Sequence, residues 1–160
     1  VDALGNVPGE FLNWLFLSLK PLRLTGQKYL DMVDSLDNKE ATKNFLRMEK
    51  WIFDSPDQAG EAFRQFAKDF FQKNMLVTQK LMLGEKKVDF KNLTMPLLNI
   101  YATEDHIVPP AASKALKTLI PSTTDYTELA VQGGHIGIYV SKRSQREVPH
   151  AIGQWLDMRR

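Results

Sequence analysis

Cysteine is absent from the 160 residues. That excludes disulfide bridges, thiolate metal sites and a cysteine nucleophile within this chain. Charge of one sign is also missing: 21 Lys and Arg stand against 19 Asp and Glu, a net charge of +2. Such a balance creates no field that favours nucleic acid, so no nucleic-acid partner is expected. Long apolar runs are missing too. The most apolar stretch, residues 11–19, ends at Lys20-Pro21, whereas a membrane-spanning helix needs about 20 such residues. No basic residue precedes that stretch and no small-residue cleavage pattern follows it, which argues against a signal peptide. Internal repeats and low-complexity tracts are absent. No trio of His, Asp or Glu has metal-ligand spacing, and no metal or cofactor is expected. Finally, neither G-x-S-x-G nor G-x-C-x-G occurs. That strained strand-to-helix bend is how one large group of enzymes presents its nucleophile.

What remains is ordinary for a globular domain: 43% hydrophobic and 25% charged residues, in a chain long enough for one domain. The first residue is Val1 rather than Met, so the natural start is expected upstream. Residues 1–9 hold two glycines and a proline and read as a loop. The apolar run at 11–19 reads as a buried or lid helix, interrupted at Pro21 and resuming over residues 27–33. Asp37-x-x-Glu40 predicts a helix start with Asp37 as the cap. Ala41, Phe45, Met48 and Ile52 then follow at helical spacing. Ser55-Pro56-Asp57-Gln58 predicts a further start, with Ser55 capping and Pro56 at the first helical position. Ala59, Ala62, Phe63, Phe66 and Phe70 make its apolar stripe, to about Asn74. This aromatic density is core packing between helices, or a cap whose apolar face covers an acyl channel, and the two are compatible. Residues 81–88 predict a small hairpin about Gly84-Glu85.

After Met95 the pattern becomes strand, helix, strand, helix. Residues 96–101 form a short apolar run, as in a parallel strand buried on both faces. Pro109-Pro110 opens a helix over about 111–119, and residues 126–131 are the next strand. A last helix starts at residues 141–143, broken or entered at Pro149, with Val148, Ile152, Trp155 and Leu156 on one face. This order implies a parallel sheet with right-handed crossovers. Functional groups gather at the carboxyl ends of such strands. Two candidates stand there: Asp105, closing Thr103-Glu104-Asp105, and His135, within Gly133-Gly134-His135-Ile136-Gly137.

An acid after one strand and a histidine after the next are the last two members of an α/β-hydrolase triad, whose chain order is nucleophile, acid, histidine. Histidine suits the task because it exchanges protons near neutrality. An aspartate on its far nitrogen fixes the tautomer and stabilises the imidazolium. Gly133 and Gly134 let the backbone turn beside the ring. On residue type alone each candidate has a plainer role: Asp105 as the cap of the helix at Pro109-Pro110, His135 as a surface residue in a glycine turn. His106 competes with His135 but lies on the acid's own turn, and His150 reads as solvated. With no elbow before the acid, the chain is expected to be the C-terminal half of an α/β-hydrolase fold. Residues 1–93 would be a helical cap or lid region and residues 94–160 the C-terminal part of the core.

The segments NIYATEDHIVPP at residues 99–110, GGHIGIYVS at 133–141 and FLRMEKWIFDSPDQAGEAFRQF at 45–66 closely resemble poly(3-hydroxyalkanoate) synthases, intracellular polyester polymerases with an α/β-hydrolase core. The resemblance extends over essentially the whole chain, including Gly5-Asn6-Val7-Pro8-Gly9. The wording around His135 and the short tail after it are closest to the two-subunit, short-chain type. The resemblance implies a Cys-His-Asp triad whose last two members map onto His135 and Asp105, with the cysteine outside this chain, and it leaves open whether Asp105 orients His135 or helps activate the 3-hydroxyl of the incoming monomer. It implies (R)-3-hydroxyacyl-coenzyme A as substrate rather than cofactor, and polyester and free coenzyme A as products. It implies a homodimer, a second synthase subunit, and a cytoplasmic location at polyester granules. The 160 residues alone are expected to be inactive. Two other functions stay open: an esterase or depolymerase with a serine nucleophile, and a non-catalytic piece that binds granules or a partner.

Overall fold

The structure, a computed structural model, describes all residues except Leu4, residues 20–25, Gln27 and Ser35. The expected interruption at Pro21 lies outside the described residues. The chain divides into two compact units, Val1–Lys73 and Asn74–Arg160.

The first unit is helical: α1 Gly9–Leu19, α2 Lys28–Asp34, α3 Lys39–Phe53 and α4 Gly60–Gln65, the last continuing as a π-helical segment, Phe66–Gln72. The cap of α3 is Asn38 rather than Asp37. Its side-chain oxygen accepts from the Ala41 N–H at 3.1 Å, and Asn serves this position as well as Asp does. Ala41, Phe45, Met48 and Ile52 are the half-buried stripe of α3. Phe45 meets the Tyr29 ring edge-on at 5.9 Å, joining α2 to α3.

No helix starts at Ser55-Pro56. Residues 54–59 belong to no helix, and Gln58 pairs with Val7 through two backbone hydrogen bonds of 2.9 Å. Asp57 accepts from the Gly9 N–H, and Ser55 donates to Asn13. The Gln58 N–H that a capping box would have satisfied is met by the Val7 carbonyl of the amino-terminal loop, so tertiary pairing overrides the local signal. The apolar stripe beyond changes period. The Lys73 N–H reaches back five residues to Lys68, and Phe66 touches both Phe70 and Phe71, at 5.4 and 5.1 Å. Phe63 and Phe70 are half-buried, while Ala59, Ala62 and Phe66 are exposed. A π-turn rotates following side chains off the α-helical face.

The second unit opens with the expected hairpin, β1 Met82–Leu83 and β2 Lys86–Lys87, antiparallel about Gly84-Glu85. The second sheet is parallel: β3 Leu97–Ala102 beside β4 Tyr126–Val131, in register from Leu97↔Tyr126 to Ala102↔Val131. Two short helices join them, α5 Pro110–Lys114 and α6 Leu116–Leu119. Alternation along a strand sends Asn99 to one face, where its amide donates to the Ser113 carbonyl of α5 at 2.9 Å. Thr127 points to the other face and accepts from Trp155 Nε1 at 3.2 Å. Trp155 belongs to α8, Ser144–Asp157, so helices cover both faces.

Leu97 to Ile100 are half-buried, and Tyr101 and Ala102 are buried. Full burial of the strand was expected. It is confined to the carboxyl end because the sheet has two strands among the described residues. Helix α8 runs through Pro149, which lies on its exposed side. Val148, Ile152 and Trp155 are half-buried as expected, but Leu156 is exposed. No helix among the described residues is long and apolar enough to cross a membrane.

Candidate active site

The site is built where β3 and β4 end. Parallel pairing does not stop at Ala102↔Val131. The Thr103 N–H donates to the Val131 carbonyl and the Glu104 N–H to the Gly133 carbonyl, both at 2.9 Å. These bonds lock the acid's turn to the histidine's turn before either candidate side chain is reached. Gly133 makes this possible, since its φ of +139° lies where side-chain-bearing residues rarely go. The chain then turns back, Gly137 N–H to the Gly134 carbonyl at 2.9 Å, into a four-residue helix, α7 Gly137–Val140.

This geometry brings Asp105 and His135 together: His135 Nδ1 lies 2.8 Å from Asp105 Oδ2. The plainer role expected for Asp105 is not found, since α5 has Pro109 at its cap position and no side chain caps it; the other carboxylate oxygen serves the preceding turn instead. Oδ1 accepts from the Ile107 and Val108 N–H groups at 2.9 and 2.8 Å, ordering the turn before Pro109. Burial pushes the Asp105 carboxyl upward. Hydrogen bonds from Val108, His135 and Ile107, with the electrostatic attraction of the His135 ring, outweigh that and hold it below the ordinary carboxylate range. An ionised carboxylate only accepts, so His135 carries its proton on Nδ1 and leaves Nε2 as the acceptor. The side chain of Asp105 is 7% exposed and that of His135 36%. The acid is thus sealed, and the imidazole remains reachable. Such a pair can take a proton at Nε2 and return it, with the positive charge stabilised from behind.

His106 sits half-buried on the acid's turn, and the ring that Asp105 Oδ2 meets is that of His135. His150 is exposed on α8. One element of the site escaped the sequence reading. Arg143 Nη1 donates to Gln132 Oε1 at 2.7 Å, and Arg143 Nε to both carboxylate oxygens of Glu147 at 2.9 Å. Residues 132 and 143 bracket the histidine loop. The Arg143–Glu147 spacing of four is the only trace of this in the sequence.

Comparison with known proteins follows the same outline. A family model described as alpha/beta hydrolase fold matches residues 1–142. The protein named poly(3-hydroxyalkanoate) polymerase subunit PhaC of Allochromatium vinosum is 64% identical over 159 residues, 99% of this chain and 44% of that protein. The protein of the same name from Synechocystis sp. is 56% identical over 99% of this chain and 42% of its own length. That of Haloarcula marismortui is 36% identical, over 99% and 33%. The chain thus spans less than half the length of the curated relatives it matches.

Proposed function

The chain belongs to the α/β-hydrolase fold family, and we propose that it supplies the acid–histidine half of a poly(3-hydroxyalkanoate) polymerase. The observation that carries this reading is the 2.8 Å contact between His135 Nδ1 and Asp105 Oδ2 at the ends of two parallel strands, in a chain so similar to the Allochromatium vinosum polymerase.

In this reading His135 Nε2 takes the proton of a cysteine thiol contributed by the rest of the enzyme. The thiolate attacks the carbonyl of an (R)-3-hydroxyacyl-coenzyme A, the carbon–sulfur bond to coenzyme A breaks, and the departing thiolate recovers the proton from His135. Exchange of one thioester for another is nearly neutral in free energy. The acyl group then passes to a 3-hydroxyl, whose proton His135 also accepts, and the ester bond forms as the cysteine leaves. Asp105 orients the ring in both half-reactions. Its Oδ1 is taken by two N–H donors and its carboxylate is held acidic, which makes it a weak base for a hydroxyl. Coenzyme A enters as part of the substrate, and no separate cofactor is required.

The same reading places the enzyme in the cytoplasm, at the surface of its polymer granules, as a homodimer with a second synthase subunit. The outward residues of α1 support an apolar contact of this kind, since Phe11, Trp14 and Leu15 are exposed.

The test replaces the matched 159 residues of the Allochromatium vinosum polymerase with this chain and measures coenzyme A release from 3-hydroxybutyryl-coenzyme A. The chimera should polymerise, and His135→Ala should slow acylation of the cysteine by about 30-fold and bring elongation close to zero. Acylation at the unaltered rate in His135→Ala would overturn the assignment and turn attention to His106.

A further inference from the structure

The loop that carries His135 is rich in freedom. Gly133, Gly134 and Gly137 lie within five residues, and Gly133 occupies a φ of +139°. A segment of this kind does not hold a side chain to a fraction of an ångström by itself. The ties at its centre have been described: Glu104 to Gly133, Asp105 to His135 and Gly137 to Gly134. Its two ends are joined by side chains. Gln132 directly follows the last residue of β4, and Arg143 directly precedes α8. Arg143 Nη1 reaches Gln132 Oε1 at 2.7 Å, across a separation of eleven positions in the chain, while Nε is held by Glu147 at 2.9 Å. The guanidinium is a rigid fork, so seating one side on Glu147 aims the other at Gln132. At the same end of the loop, Ser141 Oγ accepts from the Ser144 N–H at 3.0 Å and anchors the start of α8. The result is a closed surface loop of the length and form that carries function elsewhere.

We propose that Arg143 is a positioning residue for the acid–histidine pair: with Gln132 and Glu147 it clamps the base of the histidine loop and keeps His135 in hydrogen-bonding reach of Asp105. This inference rests on the proposed polymerase reading. The clamp is open to solvent, with Arg143 and Glu147 side chains 55% and 54% exposed, so it adds little to global stability. Its effect falls on the fraction of molecules whose loop is closed. An exposed pair of this kind shifts such a fraction by roughly two- to fivefold.

The experiment uses the chimeric polymerase with Arg143→Ala, Gln132→Ala and their combination, and with Arg146→Ala as a control for loss of a neighbouring positive charge on α8. Turnover should fall roughly two- to fivefold in each clamp variant, with KM and the thermal midpoint unmoved. The double variant should fall no further than either single one, because both remove one interaction. Carbethoxylation of His135 by diethyl pyrocarbonate, read on the His135 peptide by mass spectrometry, should quicken in the clamp variants. Arg143→Lys, with charge but no fork, should fall between. Wild-type turnover in Arg143→Ala and Gln132→Ala would overturn the proposal, as would an equal loss in Arg146→Ala or losses that simply multiply in the double variant. An active His135→Ala control would instead overturn the underlying reading.

Discussion

Asparagine in place of Asp105 keeps the shape of the side chain and reverses one hydrogen bond. The carbonyl oxygen of the amide can still accept from Ile107 and Val108, at the 2.9 and 2.8 Å now seen for Oδ1. The turn is therefore expected to survive. The amide nitrogen then faces His135 Nδ1, where the carboxylate oxygen stood at 2.8 Å. A donor in that place forces Nδ1 to accept, which moves the ring proton to Nε2 and removes the base. In serine-protease triads the same change lowers kcat about ten-thousandfold, about 5 kcal/mol.

The two half-reactions should not suffer equally. A thiol without a base is still a few per cent thiolate near neutral pH, so acylation can lose about 30-fold, or about 2 kcal/mol, before the unassisted path takes over. A hydroxyl has no such reserve, and elongation should approach the full loss of about ten-thousandfold. The expected gap between the steps is thus about a hundredfold or more. Single-turnover acylation by rapid quench and steady-state elongation, measured on the Asp105→Asn chimera, give the two factors. Equal factors would refute the reasoning about the thiol. A loss below tenfold in elongation would refute the role of Asp105 altogether.

Three further outcomes are expected. Because the Asp105 carboxyl lies below its ordinary range when folded, its contribution to stability is complete above the unfolded value of about 3.9 and is lost as pH falls through the folded value. The gap in thermal midpoint between the parent and Asp105→Asn should close as pH falls below about 4, and a gap that persists undiminished at lower pH would contradict the assignment. Gly133→Ala should lose about 1–3 kcal/mol of stability because of its φ of +139°, with activity falling further than stability, as read by denaturant unfolding and turnover. In the first unit, a Cβ on Gly60 would run into the Gly5 carbonyl oxygen. Gly60→Ala should therefore destabilise by about 1–3 kcal/mol, and an unchanged unfolding midpoint would show that the amino-terminal loop yields.

The parallel strands were legible because alternation and bounding prolines mark them. The expected range 126–131 coincides with β4, and the range 96–101 misses β3 by one residue. The helix starts were less legible, because a cap is a local signal and its competitors are distant. Asp37 and Asn38 are both competent caps, and only the geometry of Ala41 selects Asn38. Ser55-Pro56-Asp57-Gln58 carries every local mark of a start, but Val7, 51 residues away, claims the backbone of Gln58. In the site, the acid and the histidine were legible because strand ends announce them. The clamp was not: Gln132 and Arg143 are eleven apart, a spacing with no periodic meaning, and they meet only because the loop between them folds back.

The asymmetry of exposure in the site bears on which reaction it serves. Asp105 is closed off and His135 is about one-third open. A thiol must reach Nε2 to give up its proton, and water can use the same approach. An esterase wants that water, since hydrolysis is its second step. A polymerase cannot tolerate it, because the acyl-enzyme must survive until a hydroxyl arrives. The acid–histidine pair is chemically identical in the two cases. What separates synthesis from hydrolysis must therefore be the covering of Nε2, and the pair itself serves either chemistry equally well. Substitutions that open this covering should raise the ratio of hydrolysis to elongation without slowing acylation, whereas substitutions in the pair should slow acylation and both fates of the acyl-enzyme.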